Sequence, residues 1–349
     1  MPEGNKMSEN LPSRAQSGTA SKRRWPKIVL LVLLVLALIF GGTAAYLIWA
    51  TTKNIESLPI NVANYNINPN GTPEPGSEEE QAKGTINFLV LGSDSRISAG
   101  DPNKWEYGAQ RTDAIMIVQI NEKRDHINIL SLPRDSWVEI PGHGKNKINA
   151  AFSFGGPQLT IQTIHQLTGI RIDHFAVADF DSFKKVTDEL GGVTIKTTDG
   201  EVTLNGKEAL KFVRERKHLP NGDFDRVRRQ QAWMRAMMQK VFTSGVLNSP
   251  TSAMSLIQTA TENSAVDEGF STTDMLSLAL SLRNLRSKDV TFLSAPNLGS
   301  GRSDGGASIV NLDFDQLAVL TKAFREGKVQ ELLDSNPEMK KLELSSKVR

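Results

Sequence analysis

Arginines and aspartates recur in two separate stretches of the chain, in a pattern suited to gripping an anion. Arg111 and Asp113 precede an apolar run, Ala114 to Ile120, and Arg134 and Asp135 follow another, Ile127 to Leu132. Further on, Arg214 to Gln231 reads RERKHLPNGDFDRVRRQQ, which includes Arg214, Arg216, Asp223, Asp225, Arg226 and Gln230. The planar arginine fork makes bidentate, charge-assisted hydrogen bonds to phosphate, and a pyrophosphate can use several. Asp94, in the loop GSDSR, and Asp113 can hold a magnesium ion that bridges such a ligand, because magnesium takes one or two carboxylates with phosphate and water. A charge run alone is usually a solvated, salt-bridged helix face. Two arginine-rich stretches that converge favour an anionic ligand instead.

The remaining inventory narrows the chemistry by exclusion. There is no cysteine, which removes disulfides, thiolate metal sites and a cysteine nucleophile. His126, His143, His165, His174 and His218 lack metal-ligand spacing, and neither a Gly-x-Ser-x-Gly elbow nor a phosphate-binding Walker loop is present. With 41 basic and 39 acidic residues the net charge is +2, so no global basicity points to nucleic acid.

The elements that must position these residues can be read from periodicity. Ala114–Ile120 and Ile127–Leu132, joined by the polar turn NEKRDH, predict an antiparallel hairpin. Such a hairpin brings Arg111, Asp113, Arg134 and Asp135 to one end of a sheet. A strand over Ile86–Leu91, running so that Gly92 reaches that end, adds Asp94. Arg214 and Arg216 would share a side if that segment is extended. A helix from about Phe224 puts Arg226 and Gln230 on one face, with Met234, Met237, Met238 and Val241 in an apolar stripe and Asp223 at its N-terminus. Other helices are predicted at 156–168, 181–190, 206–214, 250–263, 272–285 and 314–326, and short strands at 174–179, 193–197 and 289–293. Strands mixed with helices predict an α/β fold, a three-layer α-β-α sandwich around a mixed central sheet.

Residues 28–50 form an uncharged apolar run long enough to cross a bilayer as a helix, with Lys22, Arg23, Arg24 and Lys27 before it. The expected layout is a cytoplasmic tail at 1–27, a transmembrane helix at 28–50 and an extracytoplasmic linker at 51–84. A catalytic domain follows at 85–335, with its motif core at 85–242, and then a polar tail at 336–349.

GSDSR, RTDAIMIV, LPRD, GKNKINAAFSFGG, LGGV, LNGKEALKFVRER and GDFDRVRRQQ, in this order, resemble the motif series of the LytR-CpsA-Psr family of cell-wall enzymes. The resemblance implies an extracytoplasmic phosphotransferase, membrane-anchored, that attaches a polyprenyl-pyrophosphate-linked glycopolymer such as teichoic acid or capsule to peptidoglycan. It implies that Asp94 and Asp113 coordinate magnesium, or manganese in its place. Arg111, Arg134, Arg214, Arg216, Arg226 and Gln230 would hold the pyrophosphate. Lys147, at a basic position of the GKNK motif, would join them in binding the pyrophosphate and help with charge, and Asp223 is placed near the attacking group as candidate base. Arg111, Arg134 and Asp223 are thereby the expected catalytic set, and the lipid tail would enter an apolar tunnel between sheet and helices. Two other readings stand beside this one: a noncatalytic wall-polymer receptor, and a membrane-bound transcriptional attenuator, whose basic helix would need to reach nucleic acid.

Overall fold

The computed structural model describes residues 57–58, 62, 81–93, 112–215, 219, 223–262, 264–345 and 347–348. Its strands are β1 (Ser57–Leu58), β2 (Ile86–Ser93), β3 (Thr112–Ile120), β4 (Ile127–Leu132), β5 (Trp137–Ile140), β6 (Gly144–Lys147), β7 (His174–Asp179), β8 (Val193–Thr197), β9 (Gly200–Leu204), β10 (Ser264–Asp267), β11 (Val290–Ser294), β12 (Asn297–Arg302), β13 (Ser308–Leu312) and β14 (Lys347–Val348). The helices are α1 (Ala150–Thr168), α2 (Phe180–Glu189), α3 (Gly206–Arg214), α4 (Asp223–Ser244), α5 (Pro250–Thr261), α6 (Thr272–Ser281), α7 (Phe314–Arg325), α8 (Val329–Ser335) and α9 (Pro337–Lys340). The apolar run 28–50 lies outside the described residues, and among these no helix is long and apolar enough to cross a membrane.

Seven strands form a mixed central sheet in the order β1-β10-β7-β2-β3-β4-β11. The predicted hairpin is its centre: β3 pairs antiparallel with β4, Ile120 facing Ile127 and Ile115 facing Leu132. The turn between them is closed by Asn121, whose Oδ1 accepts the backbone N–H groups of Asp125 at 3.1 Å and His126 at 3.0 Å. On the other side, β2 pairs antiparallel with β3 and parallel with β7, so Gly92 and Ser93 reach the end where β3 begins and β4 finishes.

The two faces of this sheet are covered unequally. Side chains alternate along a strand, and one set, including Leu89, Leu91, Ile115, Ile117, Leu130 and Leu132, is fully buried against Phe152, Ile161 and Ile164 of α1 and Leu320 and Phe324 of α7. The opposite set meets α4, α5 and α6. Here Phe88, Val90, Ala114 and Val118, on the two central strands, are only partly buried, although Met234 and Met238 of α4 and Leu276 of α6 pack in the same cluster. These central side chains pack less completely than their counterparts on the α1 face.

Helix α4 separates that cluster from a third. Met234, Met238 and Val241 face the central sheet, whereas Trp233, Ala236 and Met237 turn toward the small sheet β14-β8-β9 and helix α3. The expected single apolar stripe is thus two. Buried Trp233 donates Nε1–H to Thr187 Oγ1 at 2.9 Å, tying α4 to α2. Helix α3 starts with a capping box, Asn205 and Glu208 each bonding the other's backbone N–H. Gly206 lets it approach α2 closely, since a Cβ there would sit 2.2 Å from the Lys184 carbonyl oxygen.

Several boundaries differ from expectation. The segment α1 is two helices meeting at non-helical Gly155 and Gly156; the helix expected at 156–168 is the second, and the turn from Ala150 before it was not anticipated. Helix α3, by contrast, ends at Arg214 as expected, so the conditional alternation of Arg214 with Arg216 along an extended segment does not apply to Arg214. Residues 336–349, expected as a polar tail, contain α9, and β14 pairs parallel with β8.

Candidate active site

The site is assembled at the end of the hairpin. Gly92 pairs with Ala114 but Ser93 pairs with Thr112, so Asp113 is the extra residue of a β-bulge. A bulge bends its strand and re-aims the side chain it displaces. Gly92 belongs to the same construction: a Cβ there would lie 3.1 Å from that of Ala114. Asp113 is 5% exposed, and its Oδ1 accepts a hydrogen bond from Nη1 of Arg134, itself 21% exposed.

Arg134 is fixed by the turn that follows β4. The backbone N–H and hydroxyl of fully buried Ser136 both donate to the Pro133 carbonyl, at 3.0 and 2.7 Å. Asn149 N–H donates to the Arg134 carbonyl at 3.2 Å. The hairpin β5–β6 then turns the chain back, pairing Trp137 with Lys147. Lys147 Nζ consequently lies 2.9 Å from Asp135 Oδ1, while Asp135 Oδ2 is 3.7 Å from Arg134 Nε. Asp113, Arg134, Asp135 and Lys147 form an alternating row of charge across the sheet end. Asp113 takes one nitrogen of the guanidinium and Asp135 lies at ion-pair distance from another, which limits how the fork can turn before any ligand arrives.

Helix α4 crosses above this end. Gln231 donates Nε2–H to Ser131 Oγ on β4 at 2.7 Å. Arg226 stands five residues earlier, about 7.5 Å along the helix at the usual rise and on the N-terminal side. The backbones of Asp223 and Arg226 belong to α4, but their side chains lie outside the described residues, as do Asp94, Arg111 and Arg216. Gln230 is half-buried, and its Oε1 is buried with no hydrogen-bond partner among the described residues. An orphaned buried acceptor is costly, and a ligand hydroxyl or an amide flip facing a phosphate would satisfy it.

Exposed Arg214 is placed at the same end by a different route. Asp181, at the start of α2, has its carboxyl pulled below the usual range, chiefly by the hydrogen bond from Lys184, with Arg214 adding to the effect. Helix α2 follows β7, whose last residue pairs with Ser93. The neighbouring arginines have other duties. Arg228 pairs with buried Asp225 at 3.5 Å. Arg229 donates to the Phe212 carbonyl at 3.1 Å and stacks 4.1 Å over its ring, joining α4 to α3.

For a metal, the donor set fits in part. Among the described residues no group of three or more His, Asp or Glu is arranged to hold one. Asp113 supplies one hard oxygen donor beside the guanidinium of Arg134, which is compatible with magnesium completed by a second carboxylate, ligand oxygens and water.

Helices on both faces of a mixed sheet, with an arginine–carboxylate row at the strand ends, define an α/β protein with a candidate anion site at the ends of its central strands. The chain belongs to the LytR_cpsA_psr family, whose model matches residues 58–326. It is 34% identical over 237 residues to polyisoprenyl-teichoic acid–peptidoglycan teichoic acid transferase TagU of Bacillus licheniformis, covering 63% of this chain and 72% of that protein. It is 27% identical over 326 residues to cell wall biosynthesis protein LcpA of Corynebacterium glutamicum, covering 75% of this chain and 61% of LcpA. The chain therefore spans about three-fifths of LcpA's length. The fold also matches the structure of TagT bound to LI-WTA, with a TM-score of 0.55 and 26% identity over 72% of this chain and 97% of that one.

Proposed function

We propose that the protein is a membrane-anchored, extracytoplasmic phosphotransferase that moves an anionic glycopolymer from a polyprenyl-pyrophosphate carrier to peptidoglycan. The observation that carries the reading is Arg134, paired with Asp113 and Asp135 at the end of a sheet whose face toward α4 carries partly buried apolar side chains. A lipid pyrophosphate needs both features side by side. The names of the relatives, a teichoic acid transferase and a cell wall biosynthesis protein, agree with it.

In this reading Arg111, Arg134, Arg214, Arg216, Arg226 and Gln230 grip the pyrophosphate, and Lys147 holds Asp135 in place. The apolar chain lies against Phe88, Val90 and Val118, beneath Met234 and Met238. Asp94 and Asp113 would hold magnesium or manganese, which when bound would neutralise charge on the pyrophosphate oxygens. A peptidoglycan hydroxyl oxygen attacks the phosphorus that bears the sugar. The bond from that phosphorus to the polyprenyl phosphate oxygen breaks, polyprenyl phosphate leaves, and the hydroxyl proton passes to Asp223, the candidate base. Positioning and charge neutralisation do most of the work, as is usual in phosphoryl transfer.

The test is to incubate the full chain in detergent with a synthetic lipid-pyrophosphate glycan and peptidoglycan oligomers, then look for the covalent conjugate by mass spectrometry. Tight binding of the lipid glycan with no conjugate would make the protein a receptor and defeat the reading.

A further inference from the structure

On the face of the central sheet toward α4, one row of side chains changes character between β3 and β4. Register places Val90, Met116, Ser131 and Ser294 in one row across four strands. The row is apolar on β2 and β3 and hydroxylated on β4 and β11. Above the hydroxylated half lies a cavity of about 640 Å³ that begins at Arg134 and Asp135.

The outer wall of this cavity is the C-terminal segment. Leu342 and Leu344 run along β11, with Ser294 N–H donating to the Leu342 carbonyl at 3.0 Å and Leu344 N–H to the Phe292 carbonyl at 2.8 Å. The segment then crosses to the small sheet, where Lys347 and Val348 pair with Lys196 and Thr197. Arg235 of α4 anchors the crossing: it donates Nη2–H to the Leu344 carbonyl at 2.9 Å and stacks 4.3 Å over Phe292. Lys341 and Lys347 on this strap, with Arg228 and Arg235 on α4, line the same cavity as Arg134; among the described residues its acidic lining is Asp135 and Glu343, while Glu338 pairs with Lys341 at 2.6 Å and Asp225 with Arg228 at 3.5 Å. Ser300 and Ser308 of the β12–β13 hairpin supply further hydroxyls on the opposite wall.

We propose that this cavity is a subsite for the sugar-phosphate chain of the donor, the first anionic repeats beyond the pyrophosphate. The inference rests on the lipid-pyrophosphate reading above and extends it. A pyrophosphate joins an apolar chain to a polar one, so the two halves must leave Arg134 in different directions. The apolar half of the row accommodates one. The cationic, hydroxyl-lined half suits the other, because cations and hydroxyls together recognise a polyol or sugar chain bearing phosphodiesters.

The experiment uses the full chain and the double variant Lys341→Gln/Lys347→Gln; both side chains are exposed, so the fold does not depend on them. Two donors with the same lipid pyrophosphate are compared, one bearing a phosphodiester-linked polyol chain and one a single neutral sugar. The variant should raise KM for the polyanionic donor about fivefold, the loss expected for two exposed cations, and leave the neutral donor unchanged. Equal effects on both donors, no effect on either, or a raised KM for the peptidoglycan acceptor alone would each overturn the subsite. If the wild type turns over neither donor, the transfer reading fails separately. The lipid-free phosphodiester oligomer is then titrated calorimetrically: weaker binding to the variant than to the wild type upholds the subsite, and no binding to the wild type overturns it.

Discussion

Arg134 and Asp113 lie 21 residues apart in sequence, yet the guanidinium of one donates directly to the buried carboxylate of the other across the ends of β4 and β3. The pair exists because the hairpin register brings both strand ends together and a bulge displaces Asp113 from the ladder. Breaking a buried ion pair from one side leaves a charge without compensation, which costs roughly 3–5 kcal/mol when both partners are fully buried. With Arg134 one-fifth exposed, the penalty here should be smaller.

Arg134→Ala should remove a charge-assisted contact worth about 1.5–3 kcal/mol to the pyrophosphate, lowering turnover at least about tenfold. Arg134→Lys should recover little, since an ammonium keeps the charge but cannot present a planar fork. Steady-state transfer assays on both variants decide it, with thermal melts to separate lost activity from lost fold. Wild-type turnover in the alanine variant would remove Arg134 from the site.

Asp135 touches Arg134 on one side and Lys147 on the other, so its role should be orientation. Asp135→Asn keeps the volume and removes the charge that holds both cations. Turnover should fall about three- to tenfold, with a melting temperature close to that of the wild type, because these contacts are partly exposed. A variant whose stability collapses while its remaining folded fraction turns over normally would make Asp135 structural.

The hairpin and its cargo were legible because two apolar runs flanking a polar turn leave few ways to pair. The bulge at Asp113 was not, since it depends on register against β2 rather than on any local pattern. Helix α3 was legible as far as Arg214, because the pair Asn205 and Glu208 that forms its capping box marks where it starts. Within RVRRQQ, composition could not distinguish Arg229, which stacks on Phe212, from arginines free to meet a ligand. The strap at the C-terminus gave no signal at all: a two-residue strand has no periodicity, and its place is set by Arg235 and by the edges of two sheets.

His126 offers a stability test by pH. Its Nε2 lies 3.0 Å from Thr291 Oγ1, which accepts from Gln330 Nε2 at 3.0 Å and keeps its own proton available for a neutral imidazole. Burial depresses its pKa below the ordinary 6.5, against opposing pulls from Asp289 and Asp125. As pH falls through 6.5 the unfolded chain takes up the proton first. The contribution is therefore complete above that pH, is lost as pH falls toward the lower folded value, and then levels off. Melting temperatures measured across this range should fall less steeply in His126→Gln than in the wild type. Parallel profiles would show that His126 does not titrate in the folding equilibrium.

The proposed metal makes the sharpest demand on the cluster, because it requires Asp113 to serve two partners. In the described geometry its Oδ1 is engaged by Arg134, so coordination would draw on its other oxygen or displace the guanidinium toward the ligand. If Asp94 and Asp113 share one magnesium ion, Asp94→Asn and Asp113→Asn should each reduce activity severely and raise the magnesium concentration needed for half-maximal rate. The double change should cost little more than the worse single one, since residues acting as one unit are strongly non-additive. Asp113→Asn carries a second signature that Asp94→Asn lacks: it removes the buried carboxylate from Arg134 and should lower the melting temperature even without metal. Activity measured against magnesium concentration for the three variants, with melts in chelator, separates the two roles. Fully multiplicative losses, or wild-type activity indifferent to chelator, would mean that the aspartates share no ion and that Asp113 acts only by aiming Arg134.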